Sequence, residues 1–323
     1  MSTPICWVVT DGKAGMENQC LGLAEALGLV PVIKRVKLRA PWKQLSPFLL
    51  RLGNRWSLSP AGDRLDGPPP DLLIATGRHS VSSSLAIRRM SRGHAFRVQI
   101  QDPAIDPGAF DLVVVPRHDR LRGPNVVVTK GALHRITPEM LAAAAENFAP
   151  RLAVLPHPRI AVLVGGSNGT YSLTPAVAER LADGLVALQR RHGGSLLVTP
   201  SRRTGIDNEA VLRRRLAGLP GEVWDGSGDN PYLGYLAHAD VVVVTADSVN
   251  MVCEACSTGK PVYVVELEGG SFKFQRFHEA LRADGLTRPF DGSLEHWTYP
   301  PLDDTRMVAG VIRRRLGERG NRW

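Results

Sequence analysis

Four polar turns stand where hydrophobic runs end, and each carries residue types able to do chemistry. Thr10-Asp11-Gly12-Lys13-Ala14-Gly15 follows "ICWVVT", and Gly165-Gly166-Ser167-Asn168-Gly169-Thr170 follows "IAVLV". Thr199-Pro200-Ser201-Arg202-Arg203-Thr204 ends "SLLVT", and Asp247-Ser248 ends "VVVVTA". Glycines such as Gly12, Gly165 and Gly166 let backbone approach a ligand, and a helix start beyond them offers free N–H groups to an anion. Ser167 and Asn168 add polar side chains to the second of these loops. Neither glycine loop matches the Walker phosphate loop or the dinucleotide fingerprint GxGxxG. Arg202 and Arg203 are forks suited to a diphosphate. Glu254 lies one to two helical turns beyond Ser248, where a carboxylate would accept hydrogen bonds from ribose hydroxyls; in so small and apolar a helix it needs a partner. Together these turns predict an anion or nucleotide cleft.

Acid–base groups gather at other strand ends: Asp11, His79, Asp102 and the pair His118-Asp119. Any of them suits a general base acting on a hydroxyl. Taken singly, each also fits a turn or cap, Asp102 above all because Pro103 follows it. Cys253 and Cys256 have the spacing of a redox or metal pair. With no second pair nearby and both inside a helix, they read as buried core residues.

The elements that must position these groups alternate. Valine-rich runs such as "VVVVT", nearly free of charge, are expected of strands buried on both faces of a parallel sheet. Asp247 or Ser248 caps a helix expected from Val249 to Thr258, Gly259 stops it, and Val262–Val265 is the next strand. Strands expected at 5–10, 71–77, 96–102, 111–116 and 125–129 alternate with helices, the last being 137–150. After a proline-punctuated connector the pattern restarts. The expectation is α/β: a first domain over 1–150 and a second over 158–323, with a C-terminal helix in "DDTRMVAGVIRRRLGE" packing across both, back on the first.

A length of 323 residues allows two cores of ordinary size. Hydrophobic content of 43% and charged content of 22% are those of a globular protein, and no apolar run reaches membrane-spanning length. No secretory signal is evident, and four scattered cysteines suit a reducing cytoplasm. The net charge of +9, mostly arginine over lysine, favours anionic partners. No aromatic RNA-binding signature, zinc-finger spacing or basic tail accompanies it, so no nucleic-acid partner is expected. "PWKQLSPFLLRLGNRW" (41–56) places Trp42, Leu45, Leu49, Leu52 and Trp56 among basic residues, a pattern fit for an anionic membrane surface or for a core helix.

"VTDGKAGMENQ", "IQDP", "FDLVVVPRHD", "SRRT", "NPYLGYLAHAD", "VTADSVNMVCEACSTGKPVYV" and "KFQRFHEAL" closely resemble bacterial relatives of the plant elongated-mitochondria (mitochondrial fission) protein family, over nearly the whole chain. The second half also resembles, more distantly, the donor domain of GT-B glycosyltransferases: Asp240, Asp247-Ser248, Glu254 and Gly259-Lys260-Pro261 stand at the places of that pattern. The resemblance implies two Rossmann-like βαβ domains facing a cleft (GT-B-like). It implies that the 247–248 turn meets a diphosphate, Glu254 a ribose and Gln275 a donor sugar. The turn has Asp-Ser where the relatives have Ser-Gly. An extra carboxylate would repel the diphosphate, which leaves Asp247 to cap the helix or contact the sugar.

The function implied is transfer of a sugar from a nucleoside-diphosphate sugar to a saccharide or lipid-linked acceptor of the cell envelope. Asp11 or Asp102 would act as base, with no metal and no cofactor beyond the donor substrate. The expected location is cytoplasmic, peripheral on the inner face of the membrane. Two other readings stay open: a nucleoside-diphosphate-sugar epimerase, and a non-catalytic membrane-associated adaptor on the same fold.

Overall fold

Valine- and leucine-rich runs form strands that are parallel throughout the two large sheets of this computed structural model, which describes residues 4–40, 42–43 and 57–320. The chain divides into two units: Met1–Arg135 with Asp303–Trp323, and Ile136–Leu302. The amphipathic stretch at 41–56 lies outside the described residues, apart from Trp42 and Lys43. Among the described residues no helix is long and apolar enough to cross a membrane.

In the first unit β1 (Cys6–Thr10), β2 (Val32–Arg35), β3 (Leu72–Thr76), β4 (Phe96–Ile100), β5 (Leu112–Pro116) and β6 (Val126–Thr129) pair in the order β2-β1-β3-β4-β5-β6. Every residue of β1, β3 and β4 is buried, because helices cover both faces. Val8, Ile74, Val98 and Val114 point to one face, against Cys20 and Leu23 of α1 (Ala14–Ala26) and Val308, Ile312 and Leu316 of α9 (Asp304–Glu318). Trp7, Val9, Leu73 and Ala75 point to the other, against Ile87 of α2 (Val81–Met90). The period of two in the strands meets the period of about four in α9. Its three large apolar side chains stabilise the unit by roughly 1.5–3 kcal/mol each.

The first turn of α9 is bonded to the end of β6. The buried Asp304 carboxylate accepts the N–H groups of Lys130 (3.2 Å) and Gly131 (2.7 Å), and Thr305 exchanges two hydrogen bonds with the His134 backbone. The helix expected to close the second domain is thus part of the first unit.

In the second unit the long strands are β7 (Arg159–Val164), β9 (Ser195–Pro200), β10 (Gly221–Val223), β11 (Val241–Thr245), β12 (Val262–Val265) and β14 (Thr287–Pro289). Their spatial order, β10-β9-β7-β11-β12-β14, is 3-2-1-4-5-6 when they are counted along the chain. A short antiparallel pair joins β8 (Tyr171–Ser172) to β13 (Glu268–Gly269). The helices are α3 (Pro138–Leu152), α4 (Pro175–His192), α5 (Ile206–Leu216), α6 (Tyr232–His238), α7 (Val249–Cys256) and α8 (Phe272–Ala283).

Helix α3 corrects the expected boundary near 150. It runs through Pro150 and packs on α6, where Gly234 leaves room for the Phe148 ring: a Cβ there would come within 2.5 Å of it. His238 of α6 also meets the Ala145 carbonyl at 2.9 Å. All four cysteines are buried thiols outside any disulfide.

Each sheet reverses its winding once, between β1 and β3 in the first unit and between β7 and β11 in the second. The crevice outside the carboxyl ends of strands at such a reversal is where open α/β sheets bind ligands.

Candidate functional site

At the reversal in the second unit, the turns after β7, β9 and β11 are joined through one carboxylate. Thr245 ends β11; its hydroxyl accepts the Gly165 N–H (2.8 Å) and donates to Asp247 Oδ1 (2.7 Å). Asp247 Oδ2 accepts the Gly166 N–H at 3.0 Å and lies 2.8 Å from the Arg203 guanidinium. The Asp247 side chain has no exposed surface, whereas that of Arg203 is 40% exposed. Ser201 and Thr204 hydroxyls donate to the Gly165 carbonyl, and Asn168 donates its side-chain N–H to the Asp247 carbonyl. The backbone N–H groups of Ser167 and Asn168 bond to the carbonyls of Arg203 and Tyr171.

Gly165, Gly166, Ser167, Asn168, Arg203 and Asp247 therefore come together, but their roles differ from those expected. The N–H groups of Gly165, Gly166, Ser167 and Asn168 are used inside the protein rather than offered to an anion. A Cβ on Gly165 would lie 2.2 Å from Asp247 Oδ1, and one on Gly166 would lie 1.9 Å from the Arg203 carbonyl oxygen. The glycines allow the protein to approach itself. Asp247 neither caps the helix nor is exposed to a sugar; Ser248 caps α7, accepting from the Met251 N–H at 3.4 Å. Arg202 is exposed on the same turn as Arg203.

Glu254 projects from α7 and accepts a hydrogen bond from the Tyr232 hydroxyl of α6 at 2.5 Å. Burial pushes its carboxyl up to about 7, and the Tyr232 bond opposes this only in part. Lys260 Nζ donates to the carbonyls of Leu236 and Ala237 at the end of α6, and burial brings it down to about 8. Asp240 accepts the Arg159 N–H (2.7 Å) ahead of β11, at the strand ends away from this site.

A cavity of about 540 Å³ opens beside this cluster, at the carboxyl ends of β11 and β12. It is lined by Ala246, Val264 and Glu266, by Tyr171 and Gly269 of the β8–β13 pair, and by Gly270 just beyond it. Helix α8 adds Gln275, His278, Glu279 and Arg282. Gln275 faces it and donates to Glu279 at 2.9 Å. Glu254 is not among its lining residues.

Sequence reasoning missed His278, whose Nε2 is 2.9 Å from the Ala246 carbonyl oxygen. Its spacing of three from Gln275, which puts both on one side of α8, was the available signal.

In the first unit the reversal gathers Asp11, Gly12 and His79. Asp11 Oδ2 is 2.8 Å from Lys13 Nζ and 3.6 Å from His79 Nδ1, while Gly12 (φ 82°) donates to Thr10 at 2.9 Å. Asp102 accepts the Ala104 N–H at 2.8 Å, forming the turn its Pro103 neighbour suggested. The residues flanking that turn, Gln101 (φ 71°) and Ala104 (φ 55°), hold left-handed conformations that cost a non-glycine residue about 1–3 kcal/mol. His118 and Asp119, after β5, are buried. Among the described residues no group of three or more His, Cys, Asp or Glu side chains converges as a metal site would require.

Among solved structures the chain is similar to MurG of Acinetobacter baumannii, with a TM-score of 0.50 at 16% identity, covering 98% of this chain and 93% of that one. It is also similar to UDP-GlcNAc 2-epimerase of Methanocaldococcus jannaschii, solved in complex with UDP-GlcNAc and UDP, with a TM-score of 0.53 at 9% identity over 97% and 99%. At these identities the likeness shows the fold, a pair of Rossmann-like α/β units of the GT-B-like class. The mitochondrial fission protein ELM1 of Arabidopsis thaliana is 33% identical over 390 residues, covering 97% of this chain and 91% of that protein. The model of the family described as mitochondrial fission ELM1 matches residues 14–316, and the chain belongs to that family.

Proposed function

We propose that the protein is a glycosyltransferase whose second unit holds a nucleoside-diphosphate sugar. The observation that carries the reading is the 540 Å³ cavity at the carboxyl ends of β11 and β12, in a sheet of order 3-2-1-4-5-6. Its volume and polar wall fit a small-molecule site. The solved epimerase with the same fold, in complex with UDP-GlcNAc and UDP, supports a nucleotide sugar as the class of ligand. Arg202 is the free fork for the leaving diphosphate, since Arg203 is paired with Asp247. Charge on a leaving group is stabilised most by donors already fixed in place. Glu254 takes a ribose hydroxyl. At the strand ends of the first unit, His79 beside Asp11 is the base for the acceptor hydroxyl, in preference to Asp102, which its own turn engages. A saccharide or lipid-linked envelope acceptor fits the charge of +9, and an active site on the cytoplasmic side of the membrane follows from that choice.

The test is calorimetry and thermal shift with UDP, GDP, CMP, dTDP and their sugars, on wild type and Glu254→Gln. One nucleoside diphosphate should bind, and the substitution should weaken it about tenfold, the loss of one charge-assisted hydrogen bond. With an acceptor in hand, His79→Ala should lower turnover by about 10²–10⁴ while leaving donor affinity unchanged.

A second reading, a non-catalytic scaffold, is favoured by the glycine loop, whose N–H groups from Gly165 to Asn168 are already satisfied from within. Flat titrations for every nucleotide, from folded protein, would select it.

A further inference from the structure

Gln101, at the end of β4, holds a left-handed backbone (φ 71°) that a residue with a Cβ rarely adopts. Its N–H donates to the Val114 carbonyl at 2.8 Å, a bond that glycine would make equally well. Its half-buried side chain makes no hydrogen bond to any of the described residues. Strain that no internal side-chain bond offsets gathers at sites of function.

The amide lies over the turn that presents His79. Its Oε1 is 3.9 Å from where a Cβ on Gly77 would stand, and Gly77 opens the 77–80 turn. The sheet holds that turn in place. Gly77 donates its N–H to the Ile100 carbonyl (3.1 Å), and its own carbonyl accepts from Gln99 Nε2 (3.1 Å) and Ser80 Oγ (2.9 Å). Gln99 has no exposed surface, so these bonds do not compete with water. Asp11 faces His79 Nδ1 at 3.6 Å, which leaves Nε2 for a substrate. The His79 side chain is 35% exposed, so a ligand reaches it as it reaches Gln101.

A primary amide carries a carbonyl oxygen and two N–H groups, so it both accepts from and donates to a hydroxyl. An ionised phosphate only accepts; it would use the N–H groups alone and face the Asp11 carboxylate.

We propose that Gln101 binds the acceptor and that the acceptor is a saccharide diol. His79 takes the proton of one hydroxyl, and the Gln101 amide bonds the hydroxyl beside it. The inference rests on the transferase reading and names the nucleophile as a sugar hydroxyl, not a lipid phosphate. In the transfer the hydroxyl oxygen bonds the anomeric carbon of the donor. The bond from that carbon to the diphosphate breaks, the diphosphate leaves with the electron pair, and the proton passes to His79.

The experiment uses the full chain and whichever of UDP-glucose, GDP-mannose and dTDP-glucose the wild type binds. The acceptor probes are methyl α-D-glucoside, methyl α-D-mannoside and a polyprenyl phosphate in detergent. Wild type should release nucleoside diphosphate with a methyl glycoside and not with the polyprenyl phosphate. Gln101→Leu should raise the KM for the glycoside about tenfold, the loss of one hydrogen bond, with donor affinity unchanged. Gln101→Gly should raise it equally while melting a few degrees above wild type, because glycine takes a positive φ freely. Ala104→Gly, which relieves the φ of 55° at the other flank of the turn, should also melt higher but keep the wild-type KM. An unchanged KM in Gln101→Leu, a Gln101→Gly that melts below wild type, or release with the polyprenyl phosphate alone overturns the inference and leaves the transferase standing. No donor binding, or no release with any probe, overturns the transferase reading and the inference with it.

Discussion

Asp247→Ala should lower the stability of the second unit by about 2–4 kcal/mol and its melting temperature by roughly 5–15 °C. The substitution removes the acceptor of the Gly166 N–H and of the Thr245 hydroxyl at once, and both are buried. Each buried donor left without a partner costs about 1–3 kcal/mol. Arg203 contributes less, because its guanidinium, 40% exposed, can turn to water. Asp247→Asn keeps one acceptor oxygen and should lose less than half as much. Thermal scans followed by circular dichroism measure both. Had Asp247 been a sugar contact, as the resemblance allowed, its loss would spare the melting temperature and weaken only the ligand.

Glu254→Gln should do the opposite, by an amount that grows as pH rises from about 4.5 to 7. The Glu254 carboxyl titrates near 7 in the folded protein against 4.5 for a free side chain. Between those values the folded state holds a proton that the unfolded state has released, so stability falls as pH rises through this window. Above pH 7 the full penalty stands, roughly 3 kcal/mol at 1.36 kcal/mol per pH unit. Glutamine cannot ionise and still accepts the Tyr232 hydrogen bond. Its variant should therefore melt several degrees above wild type at pH 8 and level with it at pH 4.5. Equal melting at both would show the carboxylate to be well solvated. Such a penalty at neutral pH is the kind of stability cost that residues kept for function carry.

The strands were legible because both-face burial leaves a plain mark: "VVVVT" and "LLIAT" admit no charge. The turn beyond β11 was legible as a polar break, and Ser248 as one of two possible caps. The role of Asp247 was not, because its partners Gly166 and Arg203 are 81 and 44 positions away and meet it only once the strand order is set. His278 was hidden for the same reason: its partner is a backbone carbonyl, which no side-chain pattern reveals. The boundary at 135–136 was obscured by prolines at 150, 156 and 158, which mimic a linker although α3 already packs on α6. Helix α9 reads as amphipathic from its own residues. Nothing in them says which sheet it covers.

The placement of α9 bears on how the chain is made. The first unit's sheet is complete by Thr129, yet one side of its core waits for Val308, Ile312 and Leu316. During synthesis, residues 136–302 emerge in between and can form their whole sheet first. At about 5–20 residues per second, roughly 10–40 s pass before α9 leaves the ribosome. For that interval the hydrophobic face made by Val8, Ile74, Val98 and Val114 has α1 but lacks α9, so the earlier-translated unit is the later one to mature. It is there that a chaperone would find its binding surface on the nascent chain.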